Sequence, residues 1–262
     1  MTARVFAVAN QKGGVGKTTT AVNAAAALAR LKKRVLLVDL DPQGNATMGS
    51  GINKQDLEAS VYPVLLGEMT VREARLRSET GGYDVLAANR DLAGAEIELV
   101  GLEGREHRLA QAIAASANDY DVVILDCPPS LSMLTLNGLC AANGVIIPMQ
   151  CEYFALEGLS DLVNSIKRVH ANLNPQLRII GLLRVMFDPR MTLSQQVSEQ
   201  LVTHFGDKVF QSIIPRNVRL AEAPSFGQPG IVYDPGSRGS RAYLDFGQEL
   251  IQRLETETGR AA

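Results

Sequence analysis

The chain has 262 residues, 46% of them hydrophobic and 21% charged, with a formal net charge of −2. This gives one α/β domain with a large core, or two small ones, and excludes wholesale disorder. It also removes any overall nucleic-acid charge signature, and no run of about eighteen apolar residues is available to span a membrane.

The first four residues, Met1-Thr2-Ala3-Arg4, lack a signal-peptide layout and lead into an apolar run, Val5 to Ala9. A cytoplasmic location is expected. Cys127, Cys140 and Cys151 are widely spaced and odd in number, which fits neither a disulfide framework nor a zinc site.

After the first run comes Lys12-Gly13-Gly14-Val15-Gly16-Lys17-Thr18-Thr19, and then an Ala-rich segment, Thr20 to Leu31, that reads as helix. Strand, Gly-rich turn and helix form the context of a phosphate-binding loop. Glycines let successive N–H groups point at one anion, and the helix start near Lys17 adds its positive dipole end. Lys17 is expected to reach the β- and γ-phosphates of a nucleotide, and the Thr18 hydroxyl to hold magnesium. Gln11 stands where the common loop begins with glycine, and Lys12 adds a second lysine to the cradle. A lysine so close to a triphosphate stabilises charge on the transferring group.

Val35 to Val38 is a buried-type run ending in Asp39, followed by Leu40-Asp41-Pro42-Gln43-Gly44-Asn45. A carboxylate at Asp41 can orient a water or reach the metal, although on these residues alone an Asx turn before proline is the simpler reading. Val122 to Leu125 ends in Asp126, a Walker B arrangement in which the carboxylate sits beside magnesium through a water. Cys127 has no histidine nearby in sequence and is assigned a packing role.

Val145–Ile147, Ile179–Val185 and Val209–Ile214 are further buried-type strands. Between them lie helical patterns. Leu156, Leu159, Leu162, Val163, Ile166 and Val169 form one, and Leu193, Val197, Leu201, Val202 and Phe205 another. Such alternation predicts a single α/β domain with a doubly wound, mostly parallel sheet, helices on both faces and ligands at the carboxyl ends of strands. Ile213 to Ser225 reads as strand, turn and short helix. From Arg178 to Arg241 there are eight Lys/Arg against five Asp/Glu, a local positive excess.

The octet Lys12–Thr19 resembles the deviant Walker A loop of the ParA/MinD family of P-loop ATPases. Asp39-Leu40-Asp41-Pro42-Gln43-Gly44-Asn45 resembles the switch I segment of that family. Ile213–Ser225 and Phe187–Ser194 resemble Soj-type ParA proteins more than MinD. The resemblance runs from Val5 to about Leu254.

It implies an ATP- and Mg2+-dependent ATPase that forms a nucleotide-sandwich homodimer, with Lys17 acting in cis and Lys12 on the partner's phosphates. Asp41 would position the attacking water, Pro215 would pack on the adenine, and Asn217 would bond its edge. Non-specific double-stranded DNA is the implied partner in the ATP state, with Arg190 and Arg219 at the contact and Arg216, Lys208, Arg238 and Arg241 as helpers. A ParB-like centromere-binding protein would stimulate hydrolysis and so release the DNA, giving a nucleoid-associated protein. Three residues precede the first strand, so no N-terminal helix-turn-helix domain is expected.

A MinD-like, membrane-associated positioning ATPase is the alternative, and a small-molecule enzyme such as an amidoligase relative is a third reading. Tyr243, Phe246, Leu250 and Leu254 make an apolar stripe near the C-terminus, but Glu249, Glu255 and Glu257 accompany it. A membrane-surface helix favours Lys/Arg on its polar face, so this helix is expected to pack on the core.

Overall fold

Apolar runs of the kind that prefer a pleated, two-sided burial become the strands of one sheet. In chain order they are β1 (Arg4–Val8), β2 (Val35–Asp39), β3 (Leu76–Ser78), β4 (Tyr83–Leu86), β5 (Val122–Asp126), β6 (Gly144–Met149), β7 (Arg178–Phe187) and β8 (Val209–Pro215). The computed structural model describes residues 3–153 and 155–260. Met1 and Thr2, and the side chains of Leu156 and Glu257, lie outside the described residues.

The strand order is β3-β4-β2-β5-β1-β6-β7-β8. All neighbours are parallel except β3, which runs antiparallel to β4. Strands β3 and β4 were not foreseen. They are three and four residues long, and neither holds an unbroken apolar run.

The helices are α1 (Lys17–Arg30), α2 (Asn45–Gly49), α3 (Val61–Leu66), α4 (Val71–Ala74), α5 (Leu92–Glu98), α6 (Arg108–Ala114), α7 (Met133–Ala141), α8 (Ala155–Asn172), α9 (Thr192–Phe205), α10 (Val218–Glu222), α11 (Gly230–Tyr233) and α12 (Arg238–Arg260). They divide between the two faces of the sheet. Alternate strand residues point to opposite sides. Phe6, Val8, Leu37 and Ile124 meet α1, α10, α11 and α12, whereas Val5, Ala7, Leu36 and Val123 meet the helices from α3 to α9. The sheet is thus doubly wound, as its alternating pattern predicts.

On the first face, close approach comes from small residues. Ala24, Ala25, Ala26 and Ala27 of α1 are at most 1% exposed. A Cβ on Gly247 of α12 would stand 2.8 Å from the Ala27 Cβ, so alanine there would push the two helices apart. Tyr243, Phe246 and Leu250 are buried against this layer. The C-terminal helix therefore commits its apolar stripe to the core, as expected.

The same helix closes the sheet edge. The Glu249 carboxylate accepts from the backbone N–H of Gln211 and of Ser212, each at 2.9 Å. Arg253 stacks over the Phe210 ring at 4.1 Å and donates to the Asp207 and Val209 carbonyls. Unpaired edge N–H groups invite another strand, and here a side chain occupies two of them.

Candidate active site

Strand order brings the predicted segments together. β2, β5 and β1 are consecutive in the sheet, and Asp39, Asp126 and Val8 share one register level. The segments that follow them in the chain leave the sheet side by side, as ligand-binding loops do in open α/β folds.

The loop after β1 curls through Gly14 at φ +71° and Gly16 at φ +77°. These left-handed values suit glycine, and any side chain would strain them. A Cβ on Gly13 or Gly14 would meet nothing within 4 Å, so the loop faces open space. Val15 is buried and anchors the loop from beneath. Asn10 Nδ2 donates to the Pro148 carbonyl at 2.8 Å, and Asn10 Oδ1 accepts from the Lys12 N–H at 3.0 Å. Gly16 is the N-cap of α1, so the helix begins at Lys17 as expected.

Lys17 is buried, and its ammonium donates to the loop's own Lys12 carbonyl at 3.1 Å. Burial pushes its pKa down, while Asp126 and Asp41 oppose that shift. Thr18 Oγ1 donates to Asp126 Oδ2 at 2.8 Å, joining loop to strand. Asp126 Oδ1 is fully buried without a hydrogen-bond partner. Burial, and then the neighbouring Asp39, hold the Asp126 carboxyl well above the usual carboxylate range. The exposed Lys12 ammonium lies 2.7 Å from Glu152.

Asp39 and Asp41 are placed differently. Asp39 is fully buried and accepts from Thr47 N–H and Thr47 Oγ1, each at 2.8 Å, and from Asp41 N–H at 3.1 Å. Its three donors fix the loop onto α2. Asp41 is half-buried, with Oδ1 accepting from Gln43 N–H at 2.9 Å in an Asx turn. The turn is thus present, and the residue remains partly exposed. Cys127 is buried, and burial pushes its thiol up, in keeping with packing.

On the other side of Gly16, a cleft of about 290 Å³ is lined by Thr19, Met186, Pro215, Asn217 and Tyr243. Asn217 also caps α10, its Oδ1 accepting from Arg219 N–H at 2.8 Å. A larger cleft of about 550 Å³ lies beside β8 and α12 and includes none of these residues. Its arginines, Arg184 and Arg253, direct N–H groups to backbone carbonyls.

Arg190 follows β7 and Arg219 sits on α10 just after β8. The two strands are in register at Phe187 and Pro215. Each arginine holds an acid. Arg190 makes a two-pronged contact to Asp188, at 2.9 and 2.7 Å. Arg219 meets Glu222 at 2.9 Å and Asp234 at 3.4 Å. Sequence reasoning missed these acids, together with Glu152, Gln150 and Met186. A charge count cannot say which acid faces which base, and neither Gln150 nor Met186 belongs to a motif.

A family model described as an AAA domain matches residues 3–179. The chromosome partitioning protein ParA of Caulobacter vibrioides is 49% identical over 99% of this chain and 98% of its own. The sporulation initiation inhibitor protein Soj of Bacillus subtilis is 53% identical over 94% of this chain and 98% of its own. Among solved structures, a cobyrinic acid a,c-diamide synthase from Mycobacterium smegmatis, with bound ADP and magnesium, superposes with a TM-score of 0.86. It is 42% identical and covers 97% of this chain and 96% of that one. With near-complete coverage by ParA and Soj proteins and a loop, sheet and switch arrangement to match, this chain belongs to the ParA/Soj family of chromosome-partitioning P-loop ATPases.

Proposed function

We propose that residues 3–260 act as one ATPase unit that binds ATP and Mg2+, pairs through the bound nucleotide, and grips duplex DNA only as that pair. The observation that carries this reading is the Thr18–Asp126 contact beside a buried carboxylate oxygen that has no partner. An orphaned, buried oxygen next to a threonine hydroxyl suits a divalent cation. No group of three or more His, Cys, Asp or Glu side chains that could hold a metal occurs among the described residues. The cation would therefore depend on Thr18, a water on Asp126 and the nucleotide's own phosphates, as magnesium commonly does.

Bound magnesium would supply charge neutralisation on the transferring phosphate. The chain's own residues do the rest. Backbone N–H groups of Gly13 to Gly16, with Thr18 and Thr19, cradle the phosphates at the start of α1. Lys17 exchanges the Lys12 carbonyl for phosphate oxygens. Asp41 orients the attacking water from a loop that Asp39 holds in place. Pro215 and Asn217 take the adenine. Lys12 leaves Glu152 and serves the partner's phosphates, so turnover is slow in a single copy. Arg190 and Arg219 from two copies then form one surface, and two weak patches become one stronger patch. The ATP-bound pair sits on the nucleoid, and hydrolysis, stimulated by a ParB-like protein, separates the pair and releases the DNA.

The test is binding to non-specific duplex across a salt series. A steep salt slope with ATP and none with ADP is expected. A single copy at high concentration with a non-hydrolysable nucleotide would overturn the scheme.

A second reading, a small-molecule ligase on the same scaffold, is favoured by the name of the Mycobacterium structure. ATP turnover that requires a small carboxylate and a nitrogen donor, and is indifferent to DNA, would support it. A MinD-like membrane role is disfavoured because α12 turns Tyr243, Phe246 and Leu250 inward. Liposome co-sedimentation with ATP tests it.

A further inference from the structure

Two residues other than glycine have positive φ among the described residues, Lys32 at 64° and Met186 at 49°. Lys32 ends α1, where its N–H donates to the Ala29 carbonyl and that of Lys33 to the Leu28 carbonyl, and a left-handed residue is an ordinary helix stop there. Met186 is not at a helix end. It lies within β7, where the pairing with β8 shifts register between Arg184 and Phe187. A left-handed, side-chain-bearing residue inside a strand persists only when its surroundings hold it, and such residues gather at ligand sites.

The strained backbone delivers the Met186 side chain to one place. It lines the cleft shared by Pro215, Asn217 and Gly16. Its Cε lies 3.7 Å from where a Cβ on Gly16 would stand. Gln150, the residue after β6, donates through Nε2 to Met186 Sδ at 3.1 Å and to the Gly14 carbonyl at 3.2 Å. One amide thus ties the floor of the base-side cleft to the phosphate loop.

We propose that Met186 is a further base-positioning residue. Its thioether packs on the purine, and Gln150 relays the occupancy of that cleft to the loop at Gly14. A thioether is soft and polarisable and makes favourable contacts with aromatic rings. This rests on the nucleotide-binding reading above and names an additional residue of the same site.

The test is calorimetric affinity for ATP and ADP, with tripolyphosphate, which has no base, measured as a competitor of a fluorescent ADP analogue. Met186→Ala should weaken ATP and ADP by about five- to tenfold and leave tripolyphosphate within about twofold. Met186→Leu should recover part of the loss. Met186→Gly relieves the backbone strain, so its thermal midpoint should fall less than that of Met186→Ala while its ATP affinity falls at least as far. Gln150→Ala should weaken ATP binding, and the double variant Gln150→Ala/Met186→Ala should lose less than the two separate losses combined. Unchanged ATP affinity in folded Met186→Ala overturns the proposal. So does an equal loss of tripolyphosphate, which would make Met186 a loop-shaping residue. Wild-type protein that is folded yet binds no ATP would instead overturn the nucleotide reading beneath it.

Discussion

The Lys12 ammonium pairs with the Glu152 carboxylate at 2.7 Å across 140 residues of sequence, and both side chains are about half exposed, at 47% and 49%. A pair this open contributes at most about 1 kcal/mol. Lys12→Ala should therefore leave the thermal midpoint of the nucleotide-free protein within about 2 °C. On the proposed pairing, in which Lys12 serves the other subunit, it should nevertheless abolish ATP-dependent pairing in analytical ultracentrifugation. A variant that still pairs removes Lys12 from the interface.

Asp39 and Asp41 are two residues apart and should respond in opposite ways. Asp41→Ala removes a half-buried carboxylate and should keep ATP and DNA binding while stopping phosphate release. Asp39→Ala removes the acceptor of the Thr47 hydroxyl, of the buried Thr47 N–H and of the part-buried Asp41 N–H. It should cost about 3–5 kcal/mol in denaturant unfolding. Normal ATP turnover by the Asp41 variant would move the water-positioning role elsewhere.

Asp126 carries an uncompensated buried oxygen. Asp126→Asn should raise the midpoint of the nucleotide-free protein by about 3 °C, because a buried charge without full pairing is costly. The same change should erase the extra stabilisation that Mg2+ adds to ATP. Differential scanning fluorimetry with and without chelator reads both effects, and an undiminished magnesium response would take Asp126 out of the metal site.

Much of this was legible in the sequence. The runs Val5 to Ala9, Val35 to Val38 and Val122 to Leu125 announced buried parallel strands, and glycine spacing announced the loop, because those elements depend on local pattern. Strands β3 and β4 were not legible. They are short and gain their place by pairing, β4 with β2 and β3 with β4, which is a non-local effect. The different settings of Asp39 and Asp41 were not legible in the sequence. Only the fold shows that Thr47 and the Asp41 N–H converge on Asp39. The Gln150–Met186 link joins residues 36 apart and had no sequence signal at all.

Arg190 and Arg219 are each held by acids of their own chain, and on the proposed DNA contact phosphates would have to compete with those acids. Arg190→Ala and Arg219→Ala should each weaken ATP-state DNA binding by about three- to tenfold across sequences and lower the salt slope by about one. Asp188→Asn should tighten binding by about twofold at low salt. Arg190 holds the Asp188 carboxyl down at about 2. A depressed carboxylate keeps its pairing above its unfolded pKa and loses it only as pH falls through the folded value. The ratio of wild-type to Asp188→Asn affinity should then be flat between about pH 6 and pH 8. Fluorescence anisotropy on labelled duplex measures it, and a ratio that varies across that window would show that another group competes for Arg190.

Glu249 has a consequence for assembly. With its carboxylate seated on the Gln211 and Ser212 N–H groups, Glu249 blocks those two positions of the β8 rim from backbone pairing with a neighbouring molecule. Two copies meeting rim to rim would find those positions already stoppered by a helix of their own.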